Sequence, residues 1–181
     1  IAAVSVPAQD VRVATSAEFW RQTAAARPGT RILLAPGDYQ GGSASAVAGS
    51  KERPIEVAAA DPDHPPVFRG GVQFSDVAHF VIADIVIEGA PSNGLNLDDG
   101  GSFATPSHDV VLRRVTVRDC GGRGNDDGIK LSGVVDFRVE DCTIERWGRG
   151  GSGIDMVGCH RGTIERCTLR DRPDGQAANG V

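Results

Sequence analysis

A repeat runs through the second half of this chain. Each copy begins with a glycine followed by alternating apolar and polar residues, at 94–97 (GLNL), 128–131 (GIKL) and 153–156 (GIDM), and a fourth copy starts at Gly180. Successive copies are 34, 25 and 27 residues apart. Such alternation is typical of a β-strand that buries one face. Each copy therefore predicts a short strand that recurs once per repeat.

A second apolar pattern accompanies each glycine-led strand. Its first copy contains Phe80, Ile82, Ile85 and Ile87, so the alternation is interrupted once by a two-residue gap. The pattern recurs, with Gly or Cys at some apolar positions, in three further segments, residues 110–117, 137–144 and 162–169. We interpret each segment as two short strands joined by a sharp corner, with the apolar residues of both strands pointing inward.

Three short strands per repeat, without helical periodicity, predict an all-β fold, a parallel β-helix. In such a fold each repeat forms one coil, and stacking of the coils buries a continuous core. Adjacent coils lie about 4.8 Å apart. Equivalent residues then form columns along the axis, and one predicted column contains Ile82, Leu112, Val139 and Ile164.

The first third of the chain has a different pattern. Residues 16–27 are predicted to form an amphipathic helix with Ser16 as its N-cap, and residues 40–53 a loop of small residues. Because a solenoid must cover the end of its core, we expect this helix to act as a cap. The predicted organisation is one domain, with an N-terminal segment 1–15, the capping helix 16–27 and β-helix coils over 28–181.

Composition and charge exclude several classes of protein. A net charge of −5 without a basic tract argues against a generic nucleic-acid binder. No apolar run reaches the roughly 18 residues that a membrane-spanning helix needs.

The repeat that opens at Gly180 is cut off at Val181, so we expect a fold truncated at its C-terminus. An incomplete last coil would expose an apolar edge, through which self-association is expected.

Two segments of the first third resemble a known superfamily. Residues 26–39 (ARPGTRILLAPGDY) and 54–59 (PIEVAA), with the predicted helix before them, are similar to the opening of polysaccharide lyase family six, the alginate lyases and chondroitinase B. These enzymes lie within the pectate-lyase-like superfamily. The resemblance implies a right-handed β-helix, a secreted or periplasmic location, and β-elimination of an acidic, uronate-containing polysaccharide, which Ca²⁺ can assist.

A second resemblance is local. Residues 125–129 (NDDGI) resemble the Asn-x-Asp-Gly-Ile motif of polygalacturonase-type hydrolases. Those enzymes carry a paired-aspartate motif about one coil later, whereas this chain has GGSG at residues 150–153. For a glycoside hydrolase, Asp127 and Asp155, or another pair of carboxylates, are the candidate acid and base. The two carboxylates of such an enzyme lie about 5–10 Å apart, which the spacing of adjacent coils allows.

Strand parity places three polar residues on one outward row. Leu95 and Leu97 point inward, so Asn96 points outward, and the same parity turns Lys130 and Asp155 outward. Lys130 is the only lysine in a predicted strand. It is therefore our candidate for the base that removes the proton α to a uronate carboxylate.

The remaining candidates for substrate and metal binding lie beside this row. Arg149 can bind a substrate carboxylate, Trp147 can stack on a sugar ring, and Asn96 faces the same side. Ca²⁺ prefers six to eight oxygen ligands. The predicted ligand set contains Asp98, Asp99, Asn125 and Asp126.

Each candidate also has a purely structural interpretation. Asp155 beside Lys130 would form a salt bridge and raise the lysine pKa. Paired Asp residues favour turns, and Trp147 can cover a loop against the core. His108 and His160 occupy equivalent turn positions without an aligned His or Cys partner, which favours a turn role. A lyase, a glycoside hydrolase and a non-catalytic carbohydrate-binding module all stay open.

Overall fold

The computed structural model describes residues 9–122, 124–171 and 180–181, and these residues form a parallel β-helix. Its single helix in this part of the chain, α1, spans Ser16–Ala24. The strands are short except for two that turn corners: β1 (Gln9–Val13), β2 (Thr30–Leu34), β3 (Asp38–Ala48), β4 (Ile55–Ala59), β5 (Val67–Ala83), β6 (Val86–Glu88), β7 (Leu95–Asp98), β8 (Ser107–Arg113), β9 (Thr116–Arg118), β10 (Ile129–Ser132), β11 (Val134–Glu140), β12 (Thr143–Glu145), β13 (Ile154–Val157), β14 (Thr163–Glu165) and β15 (Thr168–Arg170).

The strands stack into three parallel ladders, and each coil visits them in the same order. Sheet 1 contains β1, β2, β4, the end of β5, β8, β11 and β14. Sheet 2 contains the starts of β3 and β5, then β6, β9, β12 and β15. Sheet 3 contains the middle parts of β3 and β5, then β7, β10 and β13. Three strands per coil and the β-helix class are thus confirmed.

The predicted apolar column is also confirmed. Ile82, Leu112, Val139 and Ile164 occupy consecutive positions of sheet 1. The first three are at most 1% exposed. Full burial of such a side chain contributes about 1.5–3 kcal/mol, and the column repeats that contribution in every coil. The stacked core therefore holds the coils together without a disulfide, and the four cysteines are free thiols.

The two-residue gap in the second apolar pattern corresponds to a corner between sheet 1 and sheet 2. At this corner the residues have left-handed backbone conformations, with φ of 56° at Asp84, 51° at Arg114, 55° at Asp141 and 53° at Arg166. Acid and base alternate along the column. Arg114 pairs with Asp84 at 2.6 Å, and Arg166 pairs with Asp141 at 2.7 Å. Ion pairs between adjacent coils therefore line this corner.

Helix α1 covers one end of the core, as expected, but its limits differ from the prediction. Thr15, not Ser16, is the N-cap, and its side chain accepts a hydrogen bond from the Glu18 amide. The Ser16 hydroxyl instead accepts one from the Gln40 amide at 2.8 Å. Phe19, fully buried, anchors the helix on the core. The helix ends at Ala24, so the predicted end at residue 27 was wrong.

The predicted loop over residues 40–53 was also wrong, because β3 continues to Ala48. The small residues of β3 leave space for the side chains of the capping helix α1. A Cβ atom on Gly42 would lie 2.9 Å from the Trp20 ring, so a larger residue would push the helix away. Gly, Ser and Ala have low β-propensity, so the composition of this segment predicted a loop. Packing in the folded protein nevertheless makes it a strand. In the part of the chain that the structure describes, no helix is long and apolar enough to cross a membrane.

Candidate functional site

The outward row of sheet 3 contains the predicted polar ladder. Lys130 pairs in register with Asn96 on one side and with Asp155 on the other, and Gln73 continues the row beyond Asn96. Their neighbours along each strand point into the core, where Leu95, Ile129 and Ile154 have no exposed surface. The alternation of β-strands therefore presents these polar side chains together on one face.

Lys130 lies between two carboxylates. Its Nζ atom is 2.6 Å from Asp155 Oδ2 and 3.1 Å from Asp127 Oδ2. Burial disfavours the lysine charge, but the hydrogen bonds to Asp155 and Asp127 outweigh that penalty, and the pKa of Lys130 is raised overall. Lys130 is thus an ammonium ion at neutral pH in this arrangement, as the salt-bridge interpretation of the sequence requires.

Asp127 is a buried carboxylate that contacts Lys130 of this row. It is 2% exposed, and its Oδ1 atom accepts a hydrogen bond from the Ser152 amide at 2.7 Å while Oδ2 contacts Lys130. The Asp127 amide donates to Asn93 Oδ1 at 2.7 Å. A carboxylate held on both oxygens and closed to solvent cannot reach a glycosidic bond. The geometry therefore does not support Asp127 and Asp155 as the acid and base of a hydrolase.

The four candidate calcium ligands do not form one site. Asp98 ends β7, and its Oδ2 atom accepts from the side-chain amides of Gln73 and Asn96 at 3.0 and 3.1 Å. Asp99 is 8% exposed, and its Oδ1 atom accepts from the Gly101 amide at 2.8 Å. Asp98 Oδ1 also accepts from the Gly100 amide at 2.9 Å, so both aspartates organise the turn that follows sheet 3.

Asn125 and Asp126 lie at the opposite end of that sheet, before β10 begins at Ile129. Asp126 Oδ2 accepts from the Gly122 amide at 3.3 Å and so stabilises its own loop. Because β10 is aligned with β7 from Ile129 and Leu95 onward, the Asp98 end and the Asp126 end are separated by the length of the strand. The residues present do not fit a calcium ion shared by these four ligands, and we derive no step through one.

The two predicted loop residues differ in their exposure. Trp147 is 7% exposed, packs against the core, and donates from Nε1 to the Gly151 carbonyl at 3.2 Å. It covers a loop against the core, so the indole does not present a face for stacking on a sugar. Arg149 is exposed in the same loop, and its amide donates to the Gly122 carbonyl at 3.1 Å. Arg149 therefore stays a candidate for contact with substrate.

Sequence reasoning missed two features near this face. Phe103 is 78% exposed on the loop that follows sheet 3. Its position between two turns is the one sequence signal that could have identified it. His79, His108 and Asp109 gather at the next corner, with their ligand atoms within 4.8 Å of one another. His79 escaped notice because the repeat pattern aligns Ala78, not His79, with His108.

The outward face of sheet 2 offers a contrast to sheet 3. Its outward row alternates basic and acidic residues from coil to coil: Arg69, Glu88, Arg118, Glu145 and Arg170. Neighbours in this row pair closely, as in Arg118 with Glu88 at 2.7 Å and Arg170 with Glu145 at 2.6 Å. These arginines are neutralised along the axis. Sheet 3 differs, because the uncharged amides of Gln73 and Asn96 lie beside its charged residues.

Solved structures to which this chain is similar include polysaccharide lyases. The alginate lyase from Paenibacillus sp. str. FPU-7 superposes with a TM-score of 0.74 at 21% identity, over 91% of this chain and 58% of that enzyme. The pectate lyase Pel9A gives 0.61 at 19% identity, over 90% and 52%. The PL6 family alginate lyase AlyGC gives 0.62 at 13% identity, over 85% and 26%.

This chain has the pectate-lyase-like parallel β-helix fold. It spans 58% of the Paenibacillus enzyme and smaller shares of the other two. No protein-family profile matches the sequence, and no curated protein matches it either. The expected fold is thus confirmed, whereas substrate and reaction depend on the chemistry of the site.

Proposed function

We propose that this chain acts on a uronate-containing acidic polysaccharide as a polysaccharide lyase, with the outward face of sheet 3 as its substrate face. The observation that carries the proposal is the position of Lys130, the only lysine on a described strand, in the centre of that face between Asn96 and Asp155. The lyases named among the similar structures support the reaction class. Such a substrate implies a secreted or periplasmic protein.

In this proposal Lys130 Nζ accepts the proton that is α to the uronate carboxylate. The C–H electron pair forms the new double bond, the glycosidic C–O bond breaks with its electron pair on the leaving oxygen, and that oxygen takes up a proton from water. The developing negative charge needs a cationic partner. Arg149, in the loop before β13, would supply it. Lys130 must lose its own proton first, so its raised pKa predicts a rate that increases as the pH rises above neutrality.

The first test is a comparison of two lysine variants on alginate, polygalacturonate and chondroitin sulfate. The chain has just two lysines, so Lys51→Met is a matched control for Lys130→Met. We expect ultraviolet absorbance of unsaturated uronate and new reducing ends from the wild type and from Lys51→Met. We expect neither product from Lys130→Met. Full activity of Lys130→Met would refute the assigned base, and reducing ends without absorbance would indicate hydrolysis.

The second test uses the pH profile of Asp155→Asn. Removal of this carboxylate removes a contact that stabilises the ammonium form, so the pKa of Lys130 should fall. The rising limb of the pH–rate profile should then move to lower pH. A merely structural role for Asp155 would lower the rate at every pH without moving that limb.

A carbohydrate-binding module without catalysis is the second candidate, and the two ion pairs of Lys130 favour it. In that case polysaccharide would bind to the chain without being cleaved. Binding measured by affinity electrophoresis would weaken in Asn96→Ala and Lys130→Met, whereas no uronate absorbance would appear with any variant.

A further inference from the structure

The corner between sheet 3 and sheet 1 brings two histidines and an aspartate together from adjacent coils. His79 lies within β5, and His108 and Asp109 lie within β8. Register pairs Ala78 with His108, which places His79 beside Asp109. Both of these corner residues have left-handed backbones, with φ of 48° at His79 and 53° at Asp109. The sharp corner turns the three side chains toward one another.

The distances between their polar atoms approach those of a metal site. Asp109 Oδ2 lies 2.7 Å from His108 Nδ1 and 3.5 Å from His79 Nδ1. The two imidazole rings are 5.1 Å apart and nearly perpendicular. In a tetrahedral zinc site with bonds of about 2.0–2.1 Å, ligand atoms lie roughly 3.3 Å apart. Small side-chain rotations would therefore let all three residues reach one ion.

The residues at this corner differ from those at the same corner of the following coils. There Asp136 pairs with Arg161 at 2.7 Å, so a carboxylate is neutralised by a guanidinium. Between β5 and β8 the residue facing Asp109 is His79, whose imidazole nitrogen can donate an electron pair to a metal ion. Asp109 contacts His108, Asp136 also interacts with His108, and Arg161 interacts with both aspartates. Two aspartates and one arginine leave one negative charge uncompensated at this corner, which attracts a cation.

We propose that His79, His108 and Asp109 bind a divalent transition metal of the zinc class and thereby join two adjacent coils. Imidazole nitrogen with one carboxylate oxygen suits Zn²⁺ better than Ca²⁺, which prefers oxygen ligands alone. The side chains are 21%, 42% and 47% exposed, so an ion can enter from solvent and water can complete its coordination. The site is independent of the proposed action on polysaccharide.

The proposal is tested by titrating the full chain with Zn²⁺ in a calorimeter and with Co²⁺ in a visible spectrophotometer. We expect one ion per chain, with Co²⁺ giving the absorption bands of a low-symmetry site. Mutation of outer-shell partners alone commonly weakens metal binding about 10- to 100-fold. Loss of a ligand in His79→Gln or His108→Gln should therefore weaken binding at least tenfold. Zn²⁺ should raise the melting temperature of the wild type but not of these variants.

The matched control is His64→Gln. His64 also contacts a carboxylate, with Nδ1 2.8 Å from Asp61 Oδ2, but it lies outside the cluster. This variant should bind Zn²⁺ like the wild type. The proposal is overturned if the wild type binds no stoichiometric Zn²⁺, or if His79→Gln and His108→Gln bind as tightly as His64→Gln. The circular dichroism spectrum of each variant should match that of the wild type, which would show that the β-helix is intact.

Discussion

The glycine that opens each repeat is predicted to be indispensable because of close packing between coils. A Cβ atom at Gly128 would lie 2.5 Å from the Gly153 carbonyl oxygen and would also overlap the Cγ2 methyl group of Ile144. That carbonyl accepts the Ile129 amide at 2.9 Å, so it cannot move without disturbing the ladder between β10 and β13. Gly94 faces the Gly128 carbonyl in the same way, at 2.7 Å.

The expected cost of Gly128→Ala follows from these contacts. Overpacking of a tight site costs about 1–3 kcal/mol, and a weakened hydrogen bond costs about 0.5–1.5 kcal/mol. Alanine also lowers the conformational entropy of the unfolded chain, which stabilises the folded state by about 0.4–1 kcal/mol. We therefore expect the free energy of unfolding to fall by about 2 kcal/mol.

Urea unfolding followed by circular dichroism measures this difference. Gly122→Ala is the matched control, since among the described residues no heavy atom lies within 4 Å of a Cβ atom placed there. Its backbone is not left-handed, so the variant should match the wild type or exceed it by up to about 1 kcal/mol. Equal urea midpoints for Gly128→Ala and Gly122→Ala would refute the packing argument.

Three further predictions concern charge and thiol chemistry. Asp127→Ala should lower the free energy of unfolding by about 2–4 kcal/mol, because it leaves the Ser152 amide buried and unpaired and removes one partner of Lys130. Asp155→Asn, at the more exposed pair, should cost under about 1 kcal/mol; equal urea midpoints for the two would contradict this order. Hydrogen bonds to arginine lower the pKa of Asp119 and Glu145, so the stability they contribute above the ordinary carboxyl range should disappear as the pH falls through their lowered values. Melting temperatures that do not change between pH 5 and pH 2 would contradict it. Burial raises the pKa of the Cys142 thiol to about 12, so iodoacetamide at pH 8 should leave it unmodified in the native protein, as mass spectrometry would show.

The ladder was predictable because a β-helix repeats one geometry in every coil. Once the glycine-led strands are aligned, parity alone turns Asn96, Lys130 and Asp155 outward. Strand parity does not predict, however, how deeply a residue outside the strand is buried. Asp127 lies only three residues before Lys130, yet it is buried, since the loop around Ser152 on the adjoining coil covers it.

The exposure of residues outside the strands was not predictable in the same way. Trp147 and Phe103 both lie in loops of the repeat region, and their sequence contexts do not distinguish them. One is 7% exposed and the other 78%. Loop conformation decides which aromatic ring covers the core, and the repeat does not specify that conformation.

By itself, the sequence determined the class of fold, the number of strands per coil and the columns of the core, because buried apolar residues must recur wherever the coils stack. It also determined which residues share the outward row of sheet 3. Tertiary structure alone decided that Asp127 also meets Lys130, that residues 40–48 belong to a strand, and that His79 joins His108 and Asp109. These features depend on loop conformation, left-handed backbone turns and packing between coils, which no periodic pattern encodes.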